Sequence, residues 1–498
     1  MNANFYAAID AANRGRLQHD FLESETGRTF TYGDLARETA RYANLLTGLG
    51  ARRGDRVAVQ VEKSPTSLFL YLGCLRAGLV YLPLNTAYQR GELSYFLGDA
   101  GPRVVVCRLP AAELMQELCG DRSHIATLDE DGGGTLGRAA AAAAHDFATE
   151  EMQPDDSAVI IYTSGTTGRS KGAVITHRNL ASNARVLVDF WKFGESDVLL
   201  HALPMFHVHG LFVANHCALL AGAKLLWHGK FDVKLVLRDL ARASVMMGVP
   251  TFYTRLLNEP AFTRALCKNV RLFVSGSAPL QLETFKEFKA RTGKTILERY
   301  GMSEAGMISS NPLAGERRGG SVGLPLPGIS VRIADERDQP VENGVIGAIQ
   351  VKGENVFAGY RRMPEKTREE FTADGYFRTG DIGVFDRDGY LSIVGRAKDL
   401  IISGGYNVYP REIELVLDAI PGVAESAVIG VPHPDFGEAV TAVLVAQKDA
   451  RLDPAAVIGA VKNMLANYKV PKAVHFVDDL PRNAMGKVQK ALLRDRFR

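Results

Sequence analysis

Cysteine is scarce and scattered: Cys74, Cys107, Cys119, Cys217 and Cys267 show no CxxC or metal-ligand spacing. An odd, dispersed set excludes a disulfide framework as the organising device and suits reduced thiols, so a cytoplasmic setting is expected. Excess charge is missing too. The 59 Lys and Arg nearly balance the 56 Asp and Glu, leaving a formal charge of +3. That argues against a nucleic-acid platform and against a polybasic membrane anchor. No apolar stretch reaches the ~18–20 residues that a bilayer crossing needs. The opening "MNANFYAAIDAANRGRLQHDF" lacks an apolar core followed by a cleavage site, so no signal peptide is expected. There is no internal repeat, and no protein partner is indicated. What is present is ordinary for a soluble globular protein, with 46% hydrophobic and 23% charged residues. The 498 residues exceed the roughly 250–300 at which single cores stop growing.

Apolar runs alternate with helical stretches along the first half. "RVAVQV" precedes "SPTSLFLYLGCLRAG", "PRVVVC" precedes "AAELMQELCG", and "SAVIIY" precedes a glycine-rich loop. This alternation predicts parallel sheets covered by helices. After about residue 320 short strands with glycine turns take over ("ISVRIADERDQPVENGVIGAIQVKG", "GVFDRDGYLSIVG"), which predicts a mostly antiparallel β subdomain. Beyond Lys398 "REIELVLDAI" puts Ile413, Val416, Leu417 and Ile420 on one helical face just after Pro410. The expected fold is therefore α/β. A large N-terminal domain, 1–397, is followed by a small α+β domain, 398–498, with the boundary at Gly395 to Lys398.

"GGGTLG", Gly132 to Gly137, fits G-x-G-x-x-G, yet acidic residues stand just before it and would repel a pyrophosphate. A surface loop is the better reading. "TSGTTGRSKG", Thr163 to Gly172, is different. Gly165, Gly168 and Gly172 permit backbone shapes in which several N–H groups face one anion. Thr163, Ser164, Thr166 and Thr167 add hydroxyl donors, and Lys171 a mobile charge. The order is not that of a Walker A loop, which disfavours a P-loop ATPase. In "ERYGMSEAGM" a turn at Gly301 would gather Tyr300, Ser303 and Glu304, an aromatic face for a base and a carboxylate for magnesium. Taken alone, the stretch also reads as a helix end. "YFRTGDIG" places Asp381 at a strand end beside a glycine, able to accept from ribose hydroxyls. "GRAKDLIISGGYNVYP" carries Arg396 and Lys398. "LPRNAMGKVQK" carries Lys487, which by composition alone would be a solvated surface lysine.

Together and in this order these segments resemble the adenylate-forming superfamily of acyl-CoA synthetases, luciferases and peptide-synthetase adenylation domains, over nearly the whole chain. The resemblance implies a large and a small, mobile domain with an active site between them. It implies ATP and coenzyme A as co-substrates, and Mg2+. By the same resemblance Thr163 to Lys171 form the phosphate loop. Ser277, Ala278 and Pro279 in "SGSAPL" form the adenine and acyl-adenylate segment. Tyr300, with Gly301, Met302 and Ser303, contacts adenine, and Thr163 and Glu304 serve the metal. Asp381 and Arg396 hold ribose, Lys398 is the hinge, and Gly404 and Gly405 reach the pantetheine arm. Lys487 catalyses adenylation, alongside Lys171 and Glu304. Ser170 and Ser303 depart from a common proline and a common threonine without loss of small size.

The acyl pocket is expected among "ALPMFHVHGLF", "MMGVPTFYTRLL", "SGSAPL" and "GMSEAGMISSNP". Two histidines, His207 and His209, and one cation, Arg255, fall there instead of a long apolar lining. A substrate's second carboxylate would want a planar, always-charged partner. The alternative for Arg255 is an exposed charge on its helix, and for the histidines a structural pair. "PTFYTRLL", "ISGGYNVYP" and "PRNAMGKVQK" look close to malonyl-CoA synthetases. That implies malonate contacts at Arg255, Ser277, Met307 and one of the two histidines, His207 placed first. Methylmalonate is admitted as well, since one methyl group gives only ~1–3 kcal/mol of discrimination. A short- or medium-chain monocarboxylate ligase and a non-catalytic nucleotide-binding module are the competing readings.

Overall fold

Local signals place the first helices and strands where the alternation predicts. Ser64 accepts from the Ser67 N–H and Pro65 opens the helix Pro65–Arg76, a capped start that leaves few orphan donors. It lies between the buried strands Arg56–Gln60 and Val80–Pro83, which pair in parallel. The computed structural model describes residues 2–163, 170–403, 406–483 and 486–498. The chain divides into two units, Met1–Ser330 with Lys352–Phe371, and Val331–Val351 with Thr372–Arg498.

The first unit holds two large sheets. A nine-stranded sheet is parallel through its middle, from Asp20–Ser24 across Lys224–Trp227, Val198–His201, Val245–Gly248 and Leu272–Ser275 to Ile296–Met302. A seven-stranded sheet runs from His124–Thr127 through Val104–Cys107, Arg56–Gln60 and Val80–Pro83 to Ser157–Thr163, and ends in Lys171–Thr176 and Gly359–Tyr360. Strands covered on both faces read as unbroken apolar runs, as in Val104–Cys107, where every residue is buried. Of the segment Gly132–Gly137 only Gly132 and Gly133 lie between the strand His124–Thr127 and the helix Gly134–Ala142; Gly134–Gly137 form the first turn of that helix, with Gly134, Leu136 and Gly137 buried, so the surface-loop expectation is corrected there. Asp131 Oδ1 accepts the Gly133 N–H at 2.8 Å, so a carboxylate already takes a donor that a pyrophosphate would need.

The second unit carries the predicted antiparallel subdomain, Gly347–Lys352 pairing with Phe377–Phe385 and that with Leu391–Arg396. A further sheet centres on the long hairpin Val423–His433 and Gly437–Ala446. Against it the helix Pro410–Asp418 buries Ile413 and Leu417 completely, with Val416 and Ile420 partly covered beside them. No helix among the described residues is long and apolar enough to cross a membrane.

One buried histidine ties the N-terminus to the first unit. His177 Nδ1 accepts the Phe5 N–H at 3.0 Å, and burial holds its pKa down to about 4. The unfolded chain, with an ordinary imidazole, binds the extra proton between pH 6.5 and that value. His177 therefore stabilises the fold fully above pH 6.5, and this contribution is lost as pH falls towards 4, by roughly 3 kcal/mol. His177→Gln is expected to flatten the fall in unfolding free energy between pH 6.5 and 4.5 by about 2 kcal/mol, measured by denaturant titration. An unchanged slope refutes the assignment.

Candidate active site

The glycine- and hydroxyl-rich strip joins two paired strands. Ser157–Thr163 and Lys171–Thr176 pair antiparallel with Thr163 opposite Lys171, so the residues that open and close the strip are cross-strand neighbours. Ser164, Gly165, Thr166, Thr167 and Gly168 lie outside the described residues. A strand follows the strip, whereas a Walker loop leads into a helix.

Two segments converge on one carboxylate. Thr163 Oγ1 donates to Glu304 Oε1 at 3.1 Å, and the Tyr360 hydroxyl donates to the same oxygen at 3.2 Å. Glu304 is buried. Burial, with the Glu304 and Glu370 carboxylates, pushes the Tyr360 phenol far up, so it stays a donor throughout the working pH range. Tyr360 is carried in by the two-residue strand Gly359–Tyr360, paired with Ala173 on the hairpin. Lys171 Nζ pairs with Glu370 Oε1 at 3.1 Å and stands 4.1 Å over the Tyr360 ring. A buried cation thus has one carboxylate and one aromatic face as partners.

Glu304 itself sits in the turn between Ile296–Met302 and Gly306–Ser310. The expectation of a helix end here is corrected, since the residues up to Met302 are strand. Tyr300, Gly301, Met302 and Ser303 are half-buried along its end. A side chain at Gly301 would run into the Gly306 carbonyl and Met307, which sets the end of one strand directly against the start of the next. Met307 is buried, and the Asn183 side chain bonds both its N–H and its carbonyl.

His209, one of the residues expected at the acyl pocket, opens a π-helical turn, His209–Ala214, a rare form frequent at functional sites. The His209 N–H donates to His207 Nδ1 at 3.2 Å, and its Nδ1 lies 3.2 Å from the Ser277 hydroxyl. Ser277 holds φ at 72°, a left-handed backbone that costs about 1–3 kcal/mol and marks functional segments. Burial, helped by the charge of Arg299, keeps the His209 pKa well below its ordinary value, so the imidazole is neutral at pH 7. Ala278 is half-buried and Pro279 exposed. Arg255, in the last turn of the helix Pro250–Leu257, is exposed and makes no hydrogen bond to this group.

In the second unit Asp381 and Arg396 are cross-strand partners joined by an ion pair at 3.1 Å. Asp381 lies within the strand Phe377–Phe385, not at its end, with Gly380 beside it at φ 74°. Lys398 occupies the 3-10 turn Ala397–Asp399, where burial lowers its pKa. Lys487 is half-buried at the foot of a turn, its N–H bonded to Asn483 Oδ1 at 3.0 Å. Gly404 and Gly405 lie outside the described residues. Sequence reasoning missed Tyr360 and Glu370. Both stand in "GYRRMPEKTREEF", where an aromatic residue after glycine and a run of mixed charges carry no distinctive pattern.

The chain matches the AMP-binding enzyme family over residues 9–361 and the AMP-binding enzyme C-terminal domain over 412–487. It belongs to the AMP-binding enzymes. The crystal structure of ATP-bound MatB from Rhodopseudomonas palustris superposes with a TM-score of 0.98 at 52% identity, covering 100% of this chain and 99% of that one. The malonate–CoA ligase of Arabidopsis thaliana is 35% identical over 99% of this chain and 88% of its own length. The sulfoacetate–CoA ligase of Cupriavidus necator is 36% identical over 95% and 93%.

Glu304→Gln keeps the shape and removes the charge, and is expected to lower ATP-dependent AMP formation at least 100-fold, on the order of one electrostatic contact at a reacting phosphate. Tyr360→Phe removes one of two donors and is expected to cost about tenfold. Initial rates of AMP release check both, and equal effects, or none, refute the arrangement.

Proposed function

We propose that this protein is an ATP-dependent acid–CoA ligase acting on malonate, giving malonyl-CoA, AMP and pyrophosphate. The observation that carries the reading is similarity to a malonate–CoA ligase over 99% of this chain, together with a phosphate-loop hairpin closed onto Glu304. The first-named acids of two relatives, malonate and sulfoacetate, each bear a second acidic group.

A carboxylate oxygen attacks the α-phosphorus of ATP, and pyrophosphate leaves. Coenzyme A sulfur then attacks the acyl carbon of the mixed anhydride, and AMP leaves. Lys171 and the Thr163–Gly168 strip hold the triphosphate, and Lys487 neutralises charge that grows on the α-phosphate. Tyr300 with the Ser277–Pro279 segment takes adenine, and Asp381 with Arg396 takes ribose. Lys398 is the hinge about which residues 398–498 turn between the two steps, and Gly404 and Gly405 then admit the pantetheine arm.

Among the described residues no group of three or more His, Cys, Asp or Glu could hold a metal ion. The single carboxylate of Glu304 beside the Thr163 hydroxyl nevertheless fits Mg2+, which takes one or two carboxylates and fills its shell with phosphate and water. Bound there, the ion would supply charge neutralisation to the phosphates.

Pyrophosphate release with malonate, acetate and octanoate, each with and without coenzyme A, tests the reading. Malonate is expected to be preferred by at least 100-fold over acetate, because a site built for a charge rejects a ligand that leaves it unpaired. Preference for acetate or octanoate favours a monocarboxylate ligase, and no release with any acid refutes the ligase. Arg255 is assigned to the distal carboxylate, so Arg255→Ala should lower kcat/KM for malonate about tenfold or more, 1.4 kcal/mol. A change within twofold removes Arg255 from the site.

A further inference from the structure

Lys63 stands immediately before Ser64, the cap of the helix Pro65–Arg76, yet its ammonium is tied to a strand end on the other large sheet. Nζ donates to the His201 carbonyl at 2.8 Å and to the His228 carbonyl at 2.7 Å, and lies 2.9 Å from His201 Nδ1. The centre of the Trp227 ring is 4.3 Å away. Three acceptors and one aromatic face match three N–H bonds and one positive charge.

His201 is the last residue of the strand Val198–His201 and is buried. Its other nitrogen, Nε2, lies 3.0 Å from the Gly210 carbonyl oxygen. A carbonyl only accepts, so Nε2 carries the proton and Nδ1 is left as the acceptor for Lys63. Burial, helped by the charge of Lys63, holds the His201 pKa well below its ordinary value, which keeps the ring neutral with its single proton on Nε2. Lys63 thus decides which way His201 offers its one N–H.

Gly210 is the second residue of the π-helical turn His209–Ala214. Such a turn departs from the regular helical ladder, and here the Gly210 carbonyl is met by two side chains, His201 Nε2 and Asn215 Nδ2, each at 3.0 Å. A Cβ at Gly210 would collide with the Pro204 carbonyl, so the turn presses closely on the segment that follows His201. The adjacent residue is His209, whose Nδ1 lies 3.2 Å from the Ser277 hydroxyl and whose buried Nε2 meets no partner. Next to Ser277, Gly276 lies against the Arg299 guanidinium.

We propose that Lys63 and His201 are positioning residues for the acid substrate. The ammonium sets the tautomer of His201, His201 anchors the Gly210 carbonyl, and the anchored turn holds the His209 imidazole against Ser277. The inference rests on the malonate reading and adds two residues that act through the backbone of the turn.

The test uses the fact that an amide can imitate either ring nitrogen. In His201→Gln the amide nitrogen reaches the place of Nε2 and keeps the donor to Gly210. In His201→Asn the shorter amide stays beside Lys63 and that donor is lost. His201→Asn is expected to raise KM for malonate about tenfold, as for one buried hydrogen bond, while kcat stays within about threefold and KM for ATP is unchanged. His201→Gln should recover most of the malonate KM. Lys63→Met removes the constraint on the tautomer and should raise KM for malonate roughly fivefold with the same indifference to ATP, and Lys63→Arg should restore part of it. Equal malonate KM in the Asn and Gln variants, or KM for malonate and ATP rising together, overturns the proposal and leaves the cluster a structural one. If the His201 variants do not fold, Lys63→Met against Lys63→Arg, at a half-buried position, carries the same comparison by the same criteria. Failure of the malonate reading looks different, since the parent then forms no AMP with malonate at all.

Discussion

The Glu304 carboxylate is the knot of the first unit. Two hydroxyls, from Thr163 at the end of one strand and Tyr360 on another, meet on one of its oxygens. They lie 141 and 56 residues away in the chain. A buried carboxylate is costly unless its lone pairs are filled, so the burial of Glu304 obliges the hairpin and the 359–360 strand to hold their places. Once they do, Lys171 is fixed over the Tyr360 ring. The local geometry follows from the need to satisfy a single charge.

Much of this could be read along the chain. The runs "SAVIIY", "RVAVQV" and "PRVVVC" are strands because both faces of a parallel sheet are covered, and an unbroken apolar run is what such coverage looks like in one dimension. The helix after Pro410 was legible because its buried positions recur at helical spacing. The strand Ile296–Met302 was harder. Glu298 and Arg299 interrupt its apolar pattern, and both charges point to elements that no local window contains. Tyr360 and Glu370 were invisible for a related reason. Their importance comes from Lys171, which is 199 residues from Glu370, and nothing in their own neighbourhood distinguishes them from a solvated face.

The two sides of the site treat charge in opposite ways. Around Glu304 and Lys171 each buried charge has a partner within the fold, two hydroxyls for the carboxylate and Glu370 for the cation. Around Ser277 and His209 the polar atoms are left short of partners, and the backbone at Ser277 is held in a strained region. Such incompleteness is expensive in stability and is tolerated where binding restores it. One side of the first unit thus has its polar atoms matched within the fold, whereas the other leaves them unmatched.

The contact between Gly276 and the Arg299 guanidinium couples two positions that are far apart in sequence. A methyl group at 276 would require the guanidinium to shift, and replacing the arginine by a small residue would empty the space beneath the loop. The pair can therefore drift only in step. Any side chain larger than hydrogen at 276 thus obliges the guanidinium of 299 to find another resting place.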